Sequence, residues 1–99
     1  MAEVRFEWNT AKDKTNFRNH GVSFEEAKTV FYDENAIEFY DQNHSLEEDR
    51  HLMIGLSSKI RLLLVNYTVC KSKEEEIIRI ISSRKPTKNE QVIYFERLI

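Results

Sequence analysis

The stretch Glu76-Ile77-Ile78-Arg79-Ile80-Ile81-Ser82-Ser83-Arg84-Lys85-Pro86 constrains the fold of this chain more than any other. Its β-branched run, Ile77 to Ile81, favours a pleated and packed environment, so it reads as a buried strand. An arginine inside such a run must find a partner or open onto a solvent-lined cleft, because an unpaired buried charge is costly. Pro86 then hands the chain to Thr87-Lys88-Asn89-Glu90, a capping box that starts a closing helix carrying Tyr94. Two guanidiniums beside hydroxyls and a tyrosine-bearing helix suggest a place where phosphate could sit.

Ninety-nine residues make one domain, residues 1–99, large enough for a modest core without disulfides. The net charge of −2 argues against a protein that coats nucleic acid by bulk electrostatics, but the charges are uneven. Residues 61–99 hold eight bases against five acids, so an anion would be drawn to the last third. The single cysteine, Cys70, fits a reducing cytoplasm, the N-terminus lacks an apolar signal segment, and no apolar run is long enough for a bilayer. The expectation is a cytoplasmic protein with no membrane contact.

Val4 to Trp8 alternates apolar and charged residues, as a short half-buried strand does. Asn9 caps a helix from Thr10 to about Asn19 that ends at Gly21, with Ala11 and Phe17 available for packing. Lys12, Asn16 and His20 share one stripe of it, which reads first as a solvated face. Ser23-Phe24-Glu25-Glu26 opens a second helix with the apolar stripe Phe24, Ala27, Phe31 and Val30, ending near Asp33. Strands follow at Ala36–Tyr40, at Asp49–Leu56 and at Lys59–Val69, the last two joined by Ser57-Ser58 as a hairpin. The polar loop Asp41–Glu48 and the charged loop Cys70–Glu75 separate the strands. On the closing helix, Val92, Phe95 and Ile99 form the stripe expected to be buried, while Glu90, Tyr94 and Arg97 lie on another face. The order predicts an α+β fold, an antiparallel meander with two N-terminal helices and one C-terminal helix. With only Gly21 and Gly55 in the chain, a glycine-rich phosphate loop is excluded.

Taken together, Phe6-Glu7-Trp8-Asn9, Lys12, Asn16, His20-Gly21-Val22, Phe24-Glu25-Glu26-Ala27 and Phe31 resemble the opening of BrnT toxins. His44-Ser45, Glu48-Asp49-Arg50 and Gly55-Leu56-Ser57 continue the likeness. Tyr67-Thr68, Ile78 to Lys85, Glu90 and Tyr94 complete it in order and at the right spacing. The resemblance implies a RelE-like fold and a ribonuclease toxin of a bacterial type II toxin–antitoxin pair that arrests translation. It also implies a BrnA-like ribbon-helix-helix antitoxin that neutralises the toxin and, with it, represses their operon, so DNA is met only indirectly. Family members commonly carry Tyr-Thr-x-Arg where this chain has Cys70 followed by Lys71, and an alanine where it has Ser83. Loss of that arginine would weaken cleavage unless Lys71 replaces its charge, and lysine lacks the bidentate fork. The alternative to an active toxin is a toxin-like interaction subunit, weakened in cleavage, that acts as a corepressor.

RNA cleavage without metal or cofactor needs a base for the 2′-hydroxyl, cations for the pentavalent phosphate and an acid for the leaving 5′-oxygen. Arg79 and Arg84 are the candidate clamps. They are five apart, so in an unbroken strand they point to opposite faces, unless the strand bulges or ends near Ser83. The expectation is that it ends there and frees Arg84 to turn toward Tyr94. A structural ion pair of Arg84 with Glu90 or Glu48 competes with that role. Lys12 and His20 could line the cleft edge, although His20 beside Gly21 also suits a helix C-terminus. Glu76 is a candidate general base by its place in the family pattern, or one of three solvated glutamates. Tyr94 could donate a proton or stack on a base, or simply pack against the sheet. His44, Glu48 and His51 lack the tight helical spacing of a metal site.

Overall fold

The computed structural model describes residues 3–41 and 49–99. His44 and Glu48, with most of the expected 41–48 loop, lie outside the described residues. Those described form β1 (Glu3–Glu7), α1 (Thr10–His20), α2 (Phe24–Thr29) and a 3₁₀ turn (Val30–Tyr32). They continue with β2 (Ile37–Tyr40), β3 (Arg50–Leu56), β4 (Leu62–Lys71), β5 (Glu75–Arg84) and α3 (Lys88–Arg97). The strands make one sheet in the order β1-β5-β4-β3-β2. β2 to β5 form the expected antiparallel meander, but β1 adds itself parallel to β5 at the edge, so the sheet is mixed. Two helices lie between β1 and the meander, and such a long connection permits a parallel return where a hairpin would not.

The helix boundaries follow local chemistry. Asn9 accepts from the Lys12 amide to start α1, and Gly21, at φ 71, ends it. Ser23 accepts from the Glu26 amide, but the Glu26 carboxylate does not return to the cap. Thr87 and Glu90 make the full reciprocal box at the start of α3.

α2 and the turn after it deliver Phe24, Ala27 and Val30, all fully buried, onto Leu63, Val65 and Tyr67 of β4 and Ile78 and Ile80 of β5. Each buried Val, Leu, Ile or Phe among them contributes about 1.5–3 kcal/mol of burial. Phe6, Trp8 and Phe31 close the margin through edge-to-face contacts such as Phe6 on Phe31 at 5.1 Å. α1 packs differently from expectation. Phe17 is exposed and Asn16 is buried, donating to the carbonyls of Val22 and Ser83 and accepting from the Ser83 amide. Asn16 is therefore turned toward β5, while Lys12 and His20 on the same stripe stay exposed, as a solvated face would have them.

The opposite face of the sheet carries a smaller core of Ile54, Leu64 and Tyr94, with Phe39, Leu52 and Leu62 around it. Here a second expectation is corrected. Val92 and Phe95 are each 50% exposed and Ile99 is fully exposed; the residue that α3 buries is Tyr94, from the face expected to be polar. The reason lies in the anchors, since Glu90 grips Arg84 and Tyr94 donates to Asp33, and these fix the rotation of the helix.

The β3–β4 link spans residues 57–61, longer than the expected Ser57-Ser58 pair, with Ile60 at φ 59. A buried network pins it to α2: Arg61 donates to both Glu26 oxygens at 2.7 and 2.5 Å, and Ser57 donates to Glu26 at 2.7 Å. Gly55 lies where a Cβ would sit 2.7 Å from Val30 Cγ1 and 3.0 Å from Ala36 Cβ. Gly55→Ala is expected to destabilise the fold by about 1–3 kcal/mol through overpacking. An unchanged thermal midpoint would show that the 3₁₀ turn yields freely at this contact.

Candidate active site

β5 ends beside Ser83, as expected, one residue further on at Arg84. It absorbs one extra residue, because Asn66 pairs with Ser82 while Tyr67 pairs with Ile80. Ile81 is left unpaired as a β-bulge. In ladder terms the bulge turns the five-residue spacing of the arginines into an even one. Arg79 stands opposite Thr68, Ser82 opposite Asn66 and Arg84 opposite Leu64, so all three share the face that carries α3. The Asn66 amide donates to the Ser82 hydroxyl at 2.8 Å, as that register requires. Arg50 opposite Thr68 brings a third guanidinium-bearing position to this face. α3 covers the end at Ile54 and Leu64, leaving Arg79 exposed beyond it.

Both arginines meet carboxylates. Arg79 Nη1 lies 3.1 Å from Glu7 Oε1, and both side chains are nearly half exposed. Arg84 makes a bidentate pair with Glu90 at 2.8 and 3.0 Å, and its side chain is 38% exposed. The Arg84 hydrogen bonds hold the Glu90 carboxyl below the usual range despite partial burial, and Glu90 in turn raises the guanidinium. Glu26 is lowered in the same way by Arg61, against the opposing effect of burial. Carboxyls lowered on folding add stability above their unfolded value and lose it as pH falls through the folded one. The urea midpoint should therefore fall on acidification from about pH 6 to about pH 3, and less steeply in Glu90→Gln. Identical slopes for the two proteins would contradict this linkage.

Of the remaining sequence candidates, Tyr94 lies on the arginine face, in its buried core, and Lys12, His20 and Glu76 do not. Lys12 and His20 line a shallow cleft of about 300 Å³ on the edge side of the bulge, with Thr15, Asn19 and the displaced Ile81. Tyr94 is buried and its hydroxyl donates to Asp33 Oδ2 at 2.7 Å. Burial, and then Asp33, push Tyr94 up to about 12, which suits a structural tie better than a proton donor. Asp33 also accepts from the Leu56 amide at 2.8 Å, so it joins the α2 end, β3 and α3.

Glu76 opens on the other face, into a cavity of about 380 Å³ with Glu38, Asp49, His51 and Lys71. Sequence reasoning missed this grouping. The Tyr67 hydroxyl donates to Glu38, and His51 stacks on Tyr67 at 5.5 Å with Tyr40 edge-on to it. Burial, then Glu38, raise Tyr67 far above the ordinary phenol range. Lys71, opposite Glu76, shares that side, whereas Cys70, opposite Ile77, belongs to the arginine face. Adjacent strand residues diverge, so Lys71 does not restore a charge at the Cys70 position. Among the described residues no group of three or more His, Cys, Asp or Glu side chains is placed to hold a metal ion. None of the described helices is long and apolar enough to cross a membrane.

Residues 8–90 match the family described as "Ribonuclease toxin, BrnT, of type II toxin-antitoxin system". The chain belongs to the BrnT toxin family. No curated protein matches this BrnT chain. Its fold is similar to that of the Brucella abortus ribonuclease toxin BrnT, solved by crystallography at 1.1 Å, with a TM-score of 0.62. That match is 20% identical and covers 88% of this chain and all of the other. As a type II toxin of the BrnT family it has an antitoxin partner. The buried Ser83 hydroxyl is satisfied by the Leu64 carbonyl at 3.0 Å.

Proposed function

We propose that this chain is a metal-independent endoribonuclease toxin that cleaves RNA by attack of the 2′-hydroxyl and thereby arrests translation in the cytoplasm. The observation that carries this reading is the bulge at Ile81, which aligns Arg79, Ser82 and Arg84 on one open face. An RNA phosphate entering there replaces Glu7 at the Arg79 guanidinium, which then stabilises the pentavalent phosphate. The released Glu7 carboxylate stands beside that phosphate and accepts the 2′-hydroxyl proton, the P–O5′ bond breaks, and water protonates the leaving 5′-oxygen; Glu76, on the opposite face, does not reach the base role. Arg84, two rows along with Ser82 between, offers charge to a neighbouring phosphate, and Lys12 and His20 draw flanking phosphates along the sheet edge. Tyr94 positions α3. With α1 and α2 on one face of the sheet and the catalytic groups beside α3 on the other, the arrangement reads as RelE-like. A BrnA-like ribbon-helix-helix antitoxin neutralises the toxin and carries it to operator DNA, which the chain itself does not contact.

A second reading, a toxin-like corepressor weakened in cleavage, is favoured by Cys70 on the arginine face and by the two carboxylate pairs. Incubation of purified protein with mixed RNA in EDTA separates the two. Cleavage leaving 2′,3′-cyclic phosphate ends is expected. Intact RNA, with and without ribosomes, would overturn the enzyme reading in favour of the corepressor.

A further inference from the structure

The outer side of α3 combines an uncovered apolar stripe with a positive rim. Val92, Phe95 and Ile99 recur at intervals of three and four, the spacing of a helix seam, yet they face away from the sheet. Ile93 and Leu98 are also 41% and 49% exposed, so the helix carries more apolar surface than its own domain uses. Beside Phe95 runs a groove of about 310 Å³ whose walls include Leu56, Ile60, Leu62 and Pro86. Ile60 is 81% exposed and sits at φ 59, a conformation that a β-branched residue adopts only under strain.

The charge around this surface selects its occupant. Lys85 lines the groove and Lys88 lies one turn before Val92 on the same stripe, both exposed, against the exposed Glu96, because Glu90 is committed to Arg84. Pairing two copies through α3 would set like charges against each other, which disfavours self-association. We infer that the outer face of α3 and the groove beside Phe95 dock the antitoxin through an amphipathic segment whose apolar residues are flanked by acidic ones. This rests on the toxin–antitoxin reading and adds to it where the partner binds and what chemistry it presents.

Calorimetric titration with the protein encoded by the adjacent reading frame tests the inference. Val92→Asp and Phe95→Asp should each weaken binding about 30-fold or more, as loss of a central apolar anchor does. Lys85→Glu, outside the helix, should weaken it about tenfold and flatten its salt dependence. Thermal melts confirm that the variants remain folded. Parent-like affinity in both aspartate variants would place the interface elsewhere, and tighter binding by Lys85→Glu would show a basic segment. A parent dimer dissolved by Phe95→Asp would make a second copy the occupant. Failure of the parent to bind at all would instead overturn the toxin–antitoxin pairing, and the docking site with it.

Discussion

Arg61→Ala is expected to cost about 3–5 kcal/mol at neutral pH, the range for removing one partner of a buried ion pair. The asymmetry of the pair sets the size. Arg61 is 31% exposed and rehydrates readily, whereas Glu26 is 2% exposed and would be left as a carboxylate inside the fold. Lys59, 3.9 Å away and mostly exposed, offers weak compensation. For a chain of this length the loss corresponds to a fall in thermal midpoint of at least roughly 12 °C. The pH dependence changes sign at this site. In the parent, Arg61 lowers Glu26, so its contribution is present above the unfolded value of 4.5 and lost on acidification. Without Arg61, burial raises Glu26, so the penalty is present above that value and relieved as the pH falls. The gap between variant and parent should therefore narrow as the pH drops to about 4. A gap that is constant with pH would mean that the cost comes from lost packing alone.

Arg79→Ala should reduce RNA cleavage at least about 100-fold while leaving the fold intact, because the guanidinium stabilises charge that develops only in the transition state. Its pair with Glu7 is nearly half exposed on both sides and adds at most about 1 kcal/mol to stability. Arg84→Ala should reduce cleavage similarly, with a modest loss of stability as Glu90 and α3 lose an anchor. Arg79→Lys keeps the charge but not the fork, so it should fall between parent and alanine variant. The checks are initial cleavage rates and melting curves on the same preparations. Rates unchanged in both alanine variants would remove the arginine face from the chemistry.

Where the sequence was readable, local chemistry decided the outcome. Asn9, Gly21, Ser23 and Thr87 cap the helices they were expected to cap, and the run Ile77 to Ile81 is a strand. What it could not show depends on partners distant in the chain. The bulge exists only relative to β4, so five-residue spacing alone left the arginines on opposite faces. The apolar stripe of α3 was visible, but its direction is fixed by Arg84 and Asp33, six and sixty-one residues from the groups they hold. Asn16 passed for part of a solvated stripe because its acceptor at Ser83 lies sixty-seven residues away. His51, Tyr67 and Glu38 meet only across paired strands, and no spacing rule within one strand brings them together. The family likeness in turn located Cys70 but not the divergence of Lys71, which is a property of strand pleating.

Cleavage at the arginine face requires RNA to bind there, and NMR maps that contact directly. Backbone amide shifts can be followed by NMR while the protein is titrated with a 2′-O-methyl oligoribonucleotide, which lacks the attacking hydroxyl. The largest changes are expected at Glu7, Asn66, Thr68, Arg79, Ser82 and Arg84. Changes confined to Glu38, His51, Lys71 and Glu76 would contradict this and move the RNA to the opposite side of the sheet.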